Sequence, residues 1–91
     1  MRQDGDILYL EGPVTMDTVP ALVIEAREAC RGNAARVDFA TVTEVDSAAI
    51  ALALELKRDA VSRQSVLAFL NLPPALQKLI ELYDVQDHLA G

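Results

Sequence analysis

The stretch from Val42 to Leu56, Val-Thr-Glu-Val-Asp-Ser-Ala-Ala-Ile-Ala-Leu-Ala-Leu-Glu-Leu, changes character once, at Asp46-Ser47. Before that pair, Val37, Phe39, Val42 and Val45 mark an extended segment and the loop that follows it. After it, Ala, Ile and Leu form a dense run with no Gly or Pro, all good helix formers except the β-branched Ile50. Asp and Ser are favoured where a helix begins, because their side-chain oxygens accept from its first free N–H groups. The stretch therefore reads as strand, loop, then a helix that starts at Asp46-Ser47 and runs to about Ser62. This sets a hydroxyl beside a carboxylate at a helix N-terminus, where the dipole favours negative charge and could hold a phosphate. Read from propensity alone, the pair is simply a cap.

The chain on either side alternates strand and helix. Asp4-Gly5 signals a tight turn, with Met1 to Gln3 as a stub of partner strand. Ile7 to Leu10 is a short strand, ended by Glu11-Gly12-Pro13. Pro20 fits only the first helical turn, which makes Thr18 the cap of a first helix. Val19, Leu22, Val23, Ala26, Ala29 and Cys30 recur there at helical spacing, and Gly32-Asn33 stops the run. Arg36 to Ala40 is the next strand, with Asp38 as a solvated or strand-end carboxylate. Ser65 to Leu70 has the length and apolar character of a strand buried on both faces. Asn71-Leu72-Pro73-Pro74 opens a third helix, whose apolar face is Leu76, Leu79, Ile80 and Tyr83. A short tail, Asp84 to Leu89, is expected to pack through Val85 and Leu89. Such alternation argues a single α/β domain over residues 1–91, with a mainly parallel sheet of four to five strands and three to four helices. Asp46-Ser47 and Asn71 are expected together at the carboxyl ends of the strands, where such folds bind ligands.

The helix after Asp46-Ser47 has two apolar rows in its first half. Ile50, Ala53, Leu54, Lys57, Ala60 and Val61 form one row. Ala48, Ala49, Leu52 and Leu56 form the other, beside Glu55 and Asp59. A surface helix needs a single stripe of about 100°. The surplus is either a wider core contact or a docking surface for another protein. In the docking reading Leu52 and Leu56 are exposed.

Composition removes several function classes. The formal charge of −6 argues against a nucleic-acid or anionic-membrane partner. Aromatic residues make up 4% of the chain, so the core must be aliphatic. The lone Cys30 cannot form an internal disulfide and reads as a small apolar residue near a helix end. The longest apolar run, Ala48 to Leu54, is far short of the ~20 residues that span a bilayer, and Met1 to Asp6 carries no apolar signal region. No glycine-rich phosphate loop and no metal-ligand spacing occur, so neither a cofactor nor a metal is expected. His88 is the single histidine and lies in the tail, so a catalytic Ser47–His88 pair is not expected.

Val45-Asp46-Ser47-Ala48-Ala49-Ile50 resembles the signature of STAS domains. There an apolar residue, Asp, Ser or Thr, a small residue, Gly and an apolar residue follow one another. Ala49 departs, standing where the family usually has Gly. The resemblance extends to Gly12, the helix from Val19, the Val37-Asp38-Phe39 strand and the tail Leu79 to Val85. It implies a regulatory phosphorylation site at Ser47. It further implies a partner-binding surface drawn from Asp46, Ser47, Ala48, Ala49, Leu52, Glu55, Leu56 and Asn71. A compact chain ending in Leu-x-x-Leu-Tyr is most similar to the accessory subunit of the Mla phospholipid-transport ABC system. That resemblance implies a non-catalytic cytoplasmic module that binds the transporter's ATPase subunit and reaches the inner membrane only through it. The alternative it leaves open is an anti-sigma-factor antagonist, bound by an anti-sigma factor or serine kinase and switched by phosphorylation at Ser47.

Overall fold

A computed structural model describes residues 1–83 and Leu89. Seven elements follow in order: β1 (Arg2–Asp4), β2 (Ile7–Val14), α1 (Val19–Arg31), β3 (Arg36–Val45), α2 (Ser47–Ser62), β4 (Ala68–Leu70) and α3 (Pro74–Leu82). The sheet runs in the order β1-β2-β3-β4. β1 pairs antiparallel with β2, through a turn in which Gly5 takes a φ of +63°. The two other pairings are parallel, each bridged by a helix. The single mainly parallel α/β domain matches the sequence expectation.

Strand lengths depart from that expectation in instructive ways. β2 does not stop at Glu11-Gly12-Pro13. Gly12 takes a φ of +74°, and the pairing with β3 shifts register between Tyr9 and Glu11 and between Gly12 and Pro13. These irregularities absorb a residue that cannot donate to the ladder, so the strand survives its proline. With that partner available, Thr41 to Val45 is strand rather than loop, and Val14 pairs with Val45. β4 is shorter than read, three residues at the edge of the sheet, and Val66 before it is 82% exposed.

Leu8, Leu10 and Val14 of β2, with Val37 and Phe39 of β3, form the sheet's contribution to the core. Phe39 meets Phe69 edge to face, ring centroids 6.0 Å apart. On the other face Arg2 lies over the Tyr9 ring at 4.3 Å. Asp38, paired with Tyr9, also belongs to that face, yet it is buried, not solvated. Its carboxylate accepts from the Ala40 N–H at 2.7 Å and from Asn71 Nδ2 at 3.1 Å to each oxygen. A buried carboxylate needs such donors, and Asn71 supplies one from a left-handed backbone, φ +55°. Of the expected tail contacts, Leu89 packs on the core, whereas Val85 lies outside the described residues.

Both long helices end in defined chemistry. Thr18 precedes α1 as expected, but its hydroxyl makes no cap bond to the helix. It accepts instead from the Thr15 N–H at 2.9 Å and donates to the Pro13 carbonyl at 2.9 Å, organising the β2–α1 loop. α2 closes with the Ser65 N–H on the Ala60 carbonyl at 2.8 Å and the Gln64 N–H on the Val61 carbonyl at 3.0 Å. This is the six-to-one and five-to-two pattern that places its turning residue in the left-handed region. That residue is Gln64, φ +57°, where glycine would carry no Cβ strain. Gln64→Gly is therefore expected to stabilise the fold by about 0.5–1 kcal/mol. Urea unfolding measures it, and a destabilisation would show that the glutamine side chain contributes more than its backbone costs.

Candidate functional site

α2 is central to the helical layer. α1 lies along one flank, where Arg27 pairs with Glu55 at 2.8 Å and Arg31 with Asp59 at 2.8 Å. α3 lies along the other, with Tyr83 at its end beside Ile50 and Leu54. Ala49, Ala53 and Ala60 face inward and are almost fully buried, with Leu52 at 0% and Leu56 at 1% exposure. Apart from Val61, 66% exposed, and the half-buried Ala48 and Leu54, both apolar rows are thus core. The reading that Leu52 and Leu56 form an exposed docking face is corrected, because that flank is covered by α1. Ala49 is corrected with them: its methyl group meets this chain's own core at 0% exposure, not a partner backbone.

Asp46 caps α2 as the sequence suggests. Its Oδ1 accepts from the Ala48 N–H at 2.8 Å. Its Oδ2 accepts from the Met16 N–H at 3.0 Å, a contact across thirty residues that no local pattern announces. Ser47 is exposed in the first turn, and Ala48 is half-buried beside it. Glu55 is half-buried and engaged by both Arg27 and Arg58. Asn71 does not join this group. Leu70 pairs with Asp38, so Asn71 stands level with Phe39, roughly 20 Å along β3 from Asp46 at ~3.3 Å per residue. β4 ends early while β3 continues, which is why the two carboxyl ends do not coincide.

What the structure places beside Ser47 is a shallow apolar groove of about 450 Å³, lined by Ser47, Ile50, Ala51, Leu54 and Tyr83. Ala51 and Leu54 were absent from the expected surface, although they follow Ser47 by four and seven residues, the spacing of one helix face. Met16, 71% exposed on the loop bonded to Asp46, was missed for want of any local signal. Leu82 and Tyr83 are exposed at 75% and 53% where α3 ends.

A second depression, about 360 Å³, lies at the amino ends of the parallel strands and includes Cys30, Arg31 and Arg63. Both guanidiniums there bind the Asp59 carboxylate, and Arg31 above all holds that carboxyl below the usual range. Burial pushes the Cys30 thiol upward, which disfavours the reactive thiolate and fits its reading as a core residue. Among the described residues, no group of three acidic, histidine or cysteine side chains could hold a metal ion. No described helix is long and apolar enough to cross a membrane. His88 lies outside the described residues.

Comparison with known proteins agrees with this architecture. The family model described as "Mlab, STAS domain" matches residues 1–90. No curated protein sequence matches the chain. Among solved structures, the chain is similar to one described as "Structure of the Anti-Sigma Factor Antagonist SpoIIAA in its Unphosphorylated Form". The two are 17% identical, with a TM-score of 0.65 over 90% of this chain and 79% of that one. At that identity the likeness concerns the fold.

The burial pattern of α2 gives a direct test. Leu52→Ala is expected to cost about 2–5 kcal/mol, as for a leucine removed from a closed core. Ala51→Glu, one residue away but exposed, is expected to change stability by no more than about 0.5 kcal/mol. Denaturant unfolding of the two variants checks this, and similar losses in both would mean that the Ala51 side is also packed.

Proposed function

The chain belongs to the STAS domain family, and on that premise we propose that it is a non-catalytic protein-binding module whose docking surface is the Ser47 end of α2. We infer further that its partner is the ATPase subunit of a lipid-transport ABC system of the Mla kind, which it binds and supports on the cytoplasmic side of the inner membrane. The observation that carries the reading is the setting of Ser47: an exposed hydroxyl in the first turn of α2, at the edge of an apolar groove.

The physical case for binding is the composition of this end of the fold. Ala51, Leu54 and Tyr83 offer apolar area, and among the described residues no charged side chain lines the groove. Such a patch, rimmed by polar groups, favours a protein partner. The family description supports the transport setting. Among the described residues lining the groove no histidine or lysine stands beside Ser47, and the neighbouring Asp46 carboxylate is engaged by the Ala48 and Met16 N–H groups, which supports the non-catalytic reading.

The exposed hydroxyl also supports regulation. Phosphate at Ser47 adds nearly two negative charges at a helix N-terminus, which stabilises them, so the fold tolerates the modification. The same charge opposes an apolar or acidic partner surface. The anti-sigma-antagonist switch is the second reading, favoured by this same feature, with an anti-sigma factor or serine kinase in place of the ATPase.

The test is a binding measurement with purified ATPase subunit, comparing wild type, Ser47→Ala and Ser47→Asp. Ser47→Ala is expected to bind as wild type. Ser47→Asp is expected to lose about 2–5 kcal/mol, the cost of an unpaired charge in an apolar interface. Equal binding by both variants would remove Ser47 from the docking surface. Failure of the wild type to bind the ATPase, with tight binding to an anti-sigma factor, would replace the first reading with the second.

A further inference from the structure

We propose that Asp46 is a positioning residue for docking, holding the β2–α1 loop and its Met16 against the Ser47 end of α2. The proposal rests on the reading of the Ser47 surface given above and adds a second element to it.

Asp46 engages a different donor with each oxygen of its carboxylate. A helix cap needs a single acceptor, and serine or asparagine serves as well as aspartate. Asp46 uses Oδ1 for that purpose, on the Ala48 N–H. Its Oδ2 is left for a second donor and takes the Met16 N–H at 3.0 Å. Only a carboxylate offers two acceptor oxygens on so short a side chain. The identity of residue 46 thus exceeds what capping α2 requires.

The loop at the other end of this bond is already organised within itself. The Thr18 hydroxyl accepts from the Thr15 N–H and donates to the Pro13 carbonyl, each at 2.9 Å. The Thr18 and Val19 N–H groups both donate to the Thr15 carbonyl, at 3.0 and 2.8 Å. A loop tied in this way moves as a unit, and its Met16 N–H bond to Asp46 sets where that unit lies relative to α2. Met16 itself is 71% exposed. A large apolar side chain held in place in water contributes nothing to the core. With its backbone fixed to the residue before Ser47, it offers a partner apolar contact whose backbone ordering is already complete, which reduces the entropy lost on binding.

Asp46→Asn and Asp46→Ser test this. Each retains a capping oxygen and removes the second acceptor. Three quantities are measured: hydrogen exchange of the Met16 and Ala48 amides by NMR, thermal unfolding, and affinity for the purified ATPase subunit, with Ser47→Asp in parallel. The Met16 amide is expected to exchange about tenfold faster or more, with Ala48 exchange and the unfolding temperature nearly unchanged. Affinity is expected to fall about fivefold or more although Ser47 and the groove are untouched. Unchanged Met16 exchange in both variants overturns the proposal, as does full affinity with the Met16 amide released. If affinity survives in the Asp46 variants and is lost in Ser47→Asp, the positioning role fails and the docking surface stands. If Ser47→Asp also retains full affinity, the docking reading itself fails.

Discussion

The burial of α2 on three sides is the constraint from which the rest of the structure follows. The sheet lies beneath it, α1 along one flank and α3 along the other. A helix can be enclosed this way only if its inward residues are small enough to let three neighbours approach. Ala49, Ala53 and Ala60 provide that, with Leu52 and Leu56 filling the spaces between elements. Burying each leucine contributes on the order of 1.5–3 kcal/mol. The enclosure leaves one strip of α2 facing out, and Ser47 and Ala51 are its first two members, with Leu54 at its margin.

Charge pairs align the flank that apolar packing closes. Arg27 reaches Glu55, and Asp59 receives Arg31 from α1 and Arg63 from just past the end of α2. Arg63 also reaches the Cys30 carbonyl at 3.4 Å, joining the carboxyl ends of α1 and α2. Pairs that remain partly open to water, as these do, are worth little individually, and their effect is to specify register. The Asp59 carboxyl is depressed in the folded state by Arg31 and Arg63. Its contribution is therefore present at neutral pH and lost as acidification protonates the folded carboxylate.

Much of this was legible in the residues. The change of pattern at Asp46-Ser47 located the start of α2, and periodicity with Gly and Pro signals located α1 and α3. Pairing was not legible. Gly12-Pro13 looks like a terminator until β3 is there to accommodate the bulges, and Thr41 to Val45 looks like a loop until β2 is there to pair with it. Asp38 looked solvated because the donor that buries it, Asn71, lies 33 residues away. The surface of α2 was misassigned for a related reason. Two apolar rows on one helix do not say whether a second and third helix exist to cover them. The Met16–Asp46 contact is similarly long-range, and nothing in the Thr15 to Thr18 sequence points to residue 46.

The central claim is that binding occurs on the strip of α2 left open by this enclosure, together with the loop that Asp46 holds. The most direct measurement is the footprint of the bound ATPase subunit on the isotopically labelled chain, read residue by residue by NMR. The account predicts that perturbations centre on Met16, Ser47, Ala51, Leu54 and Tyr83, with Leu52, Leu56 and the Cys30–Arg63 end unaffected. A footprint centred on the outer face of the sheet around Tyr9, or on the Cys30–Arg63 end, would contradict it.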